Sequence, residues 1–233
     1  RTICPPDEVA AIFVEPVQGE GGYILPPDDF LPRLRELADK HGILLVFDEV
    51  QCGMGRTGKM FAHEYSPVKP DIITLAKGIA SGMPLCATIA SEEIMRWKPG
   101  AHASTFGGNP VACAAAHATL DLLQESLVEN SRVMGAKLLE MLRAAVGDHP
   151  NVGDIRGRGL MVAVELVKDK TTKERASDLR NQLVMHAFHE NGMVILGAGQ
   201  NTIRFCPALT LSEDEARLSV ELFARSLHSL TGV

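Results

Sequence analysis

Val9-Ala10-Ala11-Ile12-Phe13-Val14 is a short apolar run rich in β-branched and aromatic residues, closed by Glu15-Pro16. Its length and flanks predict a buried strand. Runs of the same kind recur at 43–47, at 71–76 and at 85–90. Between the first two, Phe30, Leu34, Leu37 and Ala38 repeat at helical spacing, predicting a helix from Asp29 to His41. Asp28 or Asp29 stands at its N-cap and Gly42 at its end. A loop of Gly and Pro, Gln18-Gly19-Glu20-Gly21-Gly22 to Pro26-Pro27, precedes it. Four strands separated by helix-length connections or turns make an α/β pattern.

After Asn109-Pro110 the pattern changes. An Ala-rich stretch to Gln124 and the segment Leu127 to Val146 both read as helices, leading into a second lobe. There 160–166 predicts a strand, 175–191 a helix, and Val194-Ile195-Leu196 and Ile203-Arg204-Phe205 short strands. A last helix opens on Ser212 and Glu215 in capping-box spacing and runs to Leu230. The expected division is 1–124 and 125–233.

Composition narrows the function classes. Of 233 residues, 45% are hydrophobic and 22% charged, the balance of a globular chain. A net charge of −6 argues against a nucleic-acid or anionic-membrane surface and toward small molecules. Cys4, Cys52, Cys86, Cys113 and Cys206 are odd in number and form no CxxC pair, so reduced thiols of a cytoplasmic protein are expected. No stretch reaches the roughly 18 apolar residues of a membrane span, and the start does not read as a signal peptide. The eight histidines show no ligand-like cluster, so no metal is expected.

Three motifs compete for the chemistry. Gly53-Met54-Gly55-Arg56-Thr57-Gly58 matches G-x-G-x-x-G, but four residues separate it from the strand and no long helix opens at Gly58, which argues against a dinucleotide site. The second is a pair: Asp48 closes one predicted strand and Lys77 another. In an open α/β sheet, ligands bind outside the carboxyl ends of the strands, where such side chains converge. An acid there can hold a pyridine nitrogen protonated, and a lysine can form a Schiff base, which suits pyridoxal phosphate. On spacing alone, Asp48 as a turn cap and Lys77 as a solvated strand end stand equally open. The third is Ser104-Thr105-Phe106-Gly107-Gly108-Asn109-Pro110, a hydroxyl- and Gly-rich entry to a helix that can offer donors to a phosphate, or be an ordinary helix start.

Glu15-Pro16-Val17-Gln18-Gly19-Glu20-Gly21-Gly22, Asp48-Glu49-Val50-Gln51 with Gly55-Arg56-Thr57-Gly58, Ala76-Lys77-Gly78, the 104–110 loop and Arg156-Gly157-Arg158-Gly159-Leu160 come in the same order as in the class III aminotransferases. The chain resembles that family from Val9 to its C-terminus. The resemblance implies the C-terminal part of a pyridoxal-phosphate-dependent transferase of fold type I: an incomplete, mostly parallel sheet in a cofactor-binding large domain, then a small α+β domain. It implies Lys77 as the Schiff-base lysine, Asp48 on the pyridine nitrogen, Val50 on a ring face and Gln51 on the phenolic oxygen. Thr105, beside Ser104, would reach the phosphate of a neighbouring subunit's cofactor. Arg204 would bind a substrate carboxylate, and Glu20 would pair with it when an amine without an α-carboxylate is bound. Together these imply transfer of an amino group from an amino acid or ω-amine to a 2-keto acid.

Family members are longer, and this chain begins where the middle of their cofactor domain would be. The phosphate-cradling loop and the second ring-stacking residue lie in the part not matched. Strands 9–14 and 85–90 should therefore be apolar edges, and a homodimer or larger assembly is expected. The alternative is an aminotransferase-like fold with weak or no cofactor binding and another activity such as ester hydrolysis, with Ser81, Ser104, Lys77, His63 and His102 as loose candidates.

Overall fold

A computed structural model describes residues 4–233, which fall into two compact units. The first comprises the chain up to Pro16, Pro26–Met54 and Met60–Ser126. Its sheet contains β1 (Ala11–Val14), β2 (Leu44–Asp48), β3 (Ile72–Leu75) and β4 (Ala87–Ala90), in that spatial order. β1, β2 and β3 are parallel, and β4 is antiparallel to β3. Helix α1 (Phe30–His41) is the crossover between β1 and β2. It ends at Gly42, whose φ of 65° places it in the left-handed region that glycine enters without cost. Leu31 and Ala38 of α1 pack with Ile43, Leu45, Phe47 and Val68 in this unit's core. Asp29 sits at the N-cap position, yet its side chain caps nothing; its carboxylate takes Arg33 at 3.4 Å instead.

Asp71 fixes where β2 and β3 begin to pair. Its Oδ2 accepts the Leu45 N–H (2.7 Å) and Arg35 Nη1 (2.8 Å). The sheet's two edges are β1 and β4, as expected, and each leaves an apolar side chain in solvent: Phe13 at 71% and Ile89 at 48% exposure. Helix α2 (Pro110–Leu122) opens on Asn109, whose side chain accepts the Ala112 N–H, and Pro110 fills the first helical position. A single π turn, Leu123–Leu127, follows.

The second unit comprises Val17–Leu25, Gly55–Lys59 and Leu127–Val233. Helix α3 (Val128–Val146) leads to β5 (Val152–Arg158) and β6 (Met161–Leu166); α4 (Ser177–Asn191), β7 (Leu196–Ala198), β8 (Thr202–Phe205) and α5 (Glu213–Thr231) complete it. The sheet order is β5-β6-β8-β7, antiparallel throughout. Met134, Leu138, Leu142 and Val146 of α3, Val162, Val164, Ile203 and Phe205 of the sheet, and Val220, Phe223 and Leu227 of α5 form one core. The Phe205 and Phe223 rings meet edge to face at 5.1 Å, adding about 0.5–1.5 kcal/mol beyond their burial. The Ser212–Glu215 capping box forms as the spacing predicts.

Strand β5 carries Arg156-Gly157-Arg158, a segment in which the apolar pattern predicts no strand. β7 lies two residues beyond the run at 194–196, because its register is set by pairing Leu196 with Arg204.

Near the end of α5, buried His149 accepts the Asn151 N–H at Nδ1 (3.1 Å) and meets Thr231 Oγ1 through Nε2 (3.0 Å). An imidazole that accepts at one nitrogen is neutral there. Burial, then the nearby His228 and Lys170, hold its pKa below the ordinary 6.5. The unfolded chain therefore takes up the proton first as pH falls. This contribution is complete above about pH 6.5 and is lost as pH drops toward the folded-state value. Urea unfolding at pH 7.5 and pH 5.5 should show a smaller loss on acidification in His149→Gln than in the unsubstituted protein. Equal losses would assign the acid sensitivity elsewhere.

Candidate active site

Asp48 and Lys77 stand at the carboxyl ends of adjacent parallel strands: Asp48, last in β2, pairs in register with Thr74 of β3, and Lys77 follows two residues after β3 ends. Lys77 is exposed and has a φ of 43°, a left-handed conformation that costs an ordinary L residue energy and persists only where its surroundings impose it. The preceding Ala76 is itself irregular, and Lys77 opens a short 3₁₀ turn to Ala80. The Asp48 carboxylate accepts the Val50 N–H at 3.0 Å, which fixes its rotation in the half-buried turn Asp48–Gln51. Met54, at the far end of that turn, lies against Gly78: a Cβ on Gly78 would stand 3.5 Å from Met54 Cβ. The acid-bearing turn and the lysine-bearing turn thus converge.

Period-two alternation separates Glu49 from its neighbour Asp48. Phe47 and Glu49 share the inward side, and both are fully buried, whereas Asp48 points to the other side and is half-buried. Glu49 is held by the Ala62 and His63 N–H groups, each at 2.8 Å.

Ser104 and Thr105 lie in an exposed segment ahead of α2. Ser104 Oγ accepts the Gly107 N–H (3.2 Å), so the loop closes on itself before the helix starts.

In the second unit Glu20 and Arg204, 184 residues apart in sequence, form an ion pair between Oε1 and Nη1. The arginine side chain is 15% exposed and the glutamate 71%. Burial works against the Arg204 charge, but the Glu20 hydrogen bond and charge outweigh it and hold the guanidinium firmly protonated. Tyr23, buried nearby, has its phenol pushed well above the ordinary range, by burial first and by Cys206 second. The Glu20 loop is gripped by its backbone. Gly199 N–H donates to Glu20 O (2.7 Å), and Arg156 reaches from β5 to donate to Gly22 O (2.7 Å) and Tyr23 O (3.1 Å). The same guanidinium meets Glu165 of β6 at 2.5 Å and Asp154 at 2.9 Å. Arg156 opens the Arg156–Leu160 motif, but spacing alone gives no sign that it reaches a loop more than 130 residues upstream.

Among the described residues, no hydrogen bond joins any two of the residues considered for hydrolysis. Ser81 Oγ meets Thr119 Oγ1 (2.9 Å), the His63 ring is committed to Glu49 (2.9 Å), and His102 stacks on Trp97 at 6.0 Å. The glycines at 53–58 serve close packing. A Cβ at Gly53 would lie 2.7 Å from Glu49 O, and one at Gly58 2.9 Å from Arg132 Cα.

Known proteins resemble this chain over nearly its whole length. A leucine/methionine racemase of Thermococcus litoralis is 41% identical over 223 residues, covering 95% of this chain and 50% of the racemase. The crystal structure of a Bacillus anthracis aminotransferase superposes with a TM-score of 0.90 at 40% identity, over 97% of this chain and 53% of that one. An amine transaminase from an uncultivated Pseudomonas species, solved with pyridoxal phosphate bound, gives 0.86 at 41% identity, over 94% and 52%. The chain thus spans about half the length of the relatives it matches. Residues 4–227 match the family model described as aminotransferase class-III, and by that match and these likenesses the chain belongs to the class III aminotransferases.

Proposed function

We propose that this chain carries the cofactor-anchoring half of a pyridoxal-phosphate enzyme that moves an amino group between an amino acid or ω-amine and a 2-keto acid. The observation that carries the reading is the strained, exposed Lys77 beside Asp48 on adjacent parallel strands. Pyridoxal phosphate, when bound, supplies an aldehyde that condenses with amines and a ring that withdraws electrons from the substrate α-carbon. The residues present fit its two ends: an amine for the aldehyde and a carboxylate for the ring nitrogen. Asp48, oriented by the Val50 N–H, would stabilise positive charge at that nitrogen. Lys77 Nζ would hold the aldehyde end and, when free, would carry a proton to or from the substrate. Val50 would cover one ring face and Gln51 would reach the phenolic oxygen.

Glu20 and Arg204 would form an exchangeable recognition pair. With Glu20 moved aside, the Arg204 fork can take a carboxylate with two hydrogen bonds; with Glu20 in place, the pair presents no net charge to an amine lacking one. Exposed Thr105 fits a role at a second subunit's cofactor phosphate, hence a homodimer, which light scattering would report.

Racemisation is a second reading, favoured by the likeness to a leucine/methionine racemase. It would again need Lys77 as a proton carrier at the substrate α-carbon, and differs in that a proton is returned to that same carbon on the opposite face.

Incubation with pyridoxal phosphate should give a near-visible band that borohydride traps on Lys77, and Lys77→Ala should lose it entirely. A trapped label on another lysine, or a band that survives Lys77→Ala, would sink the assignment.

A further inference from the structure

We infer that His63 is a positioning residue for the cofactor-facing turn, acting through the buried carboxylate of Glu49; this rests on the cofactor reading of Asp48 given above. Glu49 is 0% exposed, and its carboxylate is surrounded by donors. Oε1 accepts the His63 N–H (2.8 Å) and lies 2.9 Å from His63 Nδ1, and Oε2 accepts the Ala62 N–H (2.8 Å) and the Cys52 thiol (3.3 Å). A carboxylate partner makes Nδ1 the protonated ring nitrogen. The imidazole is itself confined. It stacks on Phe61 at 5.7 Å, lies 5.8 Å from Phe47, and is 14% exposed.

The backbone of residue 49 is tied as firmly. Its N–H donates to Thr74 O of β3 (3.0 Å), and its carbonyl accepts the Gly53 N–H (2.9 Å). Glu49 therefore joins the end of β2, the start of the 50–54 turn and the 61–65 turn at one point. Asp48 lies immediately before that point. An ångström of drift in its carboxylate is enough to spoil a hydrogen bond to a bound ring. The backbone donors at 62 and 63 would be present with almost any residue there; the ring donor depends on His63 alone. His63 makes no contact with Asp48 or Lys77 among the described hydrogen bonds, so it acts through Glu49 rather than on the reacting atoms.

The test compares His63→Phe, which keeps the ring stacking but removes the donor, with His63→Asn, which restores a side-chain N–H near the Nδ1 position. Two readouts are taken on the same proteins: amide hydrogen exchange of residues 48–54, and affinity for pyridoxal phosphate by absorbance titration. The phenylalanine variant is expected to exchange about tenfold faster in that segment and to bind the cofactor about tenfold more weakly, the loss of one charge-assisted hydrogen bond. The asparagine variant should recover both to within about threefold. A phenylalanine variant with unchanged exchange overturns the inference, as does an asparagine variant no better than phenylalanine. If the unsubstituted protein takes up no pyridoxal phosphate, the cofactor reading fails by itself; the exchange comparison still decides whether His63 holds the turn.

Discussion

Gly135→Ala should destabilise the second unit by about 3 kcal/mol or more, although alanine is the better helix former by about 1 kcal/mol. Gly135 lies on the buried side of α3, and a Cβ there would stand 2.0 Å from Gly159 O and 2.2 Å from its carbonyl carbon. Backbone cannot rotate away as a side-chain end can. Gly159 has no room to retreat, since its own missing Cβ would fall 2.3 Å from Thr57 C. The surrounding hydrogen bonds fix the same spacing. Arg56 O accepts both the Leu160 N–H and Ser131 Oγ at 3.0 Å, and Arg56 Nη1 reaches Pro207 O at 2.5 Å. Overpacking against three mutually tied backbones should outweigh the gain in helix propensity. The urea midpoint measures it, and a variant as stable as the parent would mean that α3 can slide away from the β5–β6 turn.

The second large effect is expected at Arg156. Replacing it by leucine should cost about 2–4 kcal/mol, below the figure for a fully buried pair because the Glu165 side chain keeps 33% exposure. The loss has two parts: Glu165 is left without its cation, and the Gly22 and Tyr23 carbonyls lose their donor. Lysine should recover little, because a point charge cannot serve the loop carbonyls and two carboxylates at once as a planar fork does. Urea unfolding gives the cost, and amide exchange of residues 19–24 should rise in both variants. Full recovery with lysine would show that charge alone, rather than the geometry of the fork, holds the loop.

The fold was legible where local pattern and tertiary demand agree. β2 reads as a continuous apolar run because it is buried on both faces, with Leu45, Val46 and Phe47 all fully buried, and α1 and α5 carry explicit end signals in Gly42 and the Ser212–Glu215 box. β5 was hidden because its Arg and Gly positions answer to partners far away in sequence: Arg156 to the loop at 22–23, and Gly157 to Met161 O, 2.6 Å from where a Cβ would be. β7 was misplaced because exposed Val194 looks like strand while the pairing with β8 starts at Leu196.

At the candidate site, spacing pointed to Asp48 and Lys77 and the family resemblance to Glu20 and Arg204, and the fold brings the members of each pair near one another. What spacing could not reveal was support. Glu49 was readable in principle, two residues after Phe47 on the inward side of the strand, but its donors Ala62 and His63 come from a turn that no local pattern links to β2.

The grip on the Glu20 loop has a consequence for how selectivity can change over generations. Arg156 and Gly199 hold that loop by carbonyl oxygens, which every residue type possesses, so these backbone ties would remain even if the Glu20–Arg204 ion pair were lost. On the proposed role of Glu20, exchange of that one residue would retune which amines are admitted while the backbone ties of the loop persist, so recognition could drift with little cost in stability.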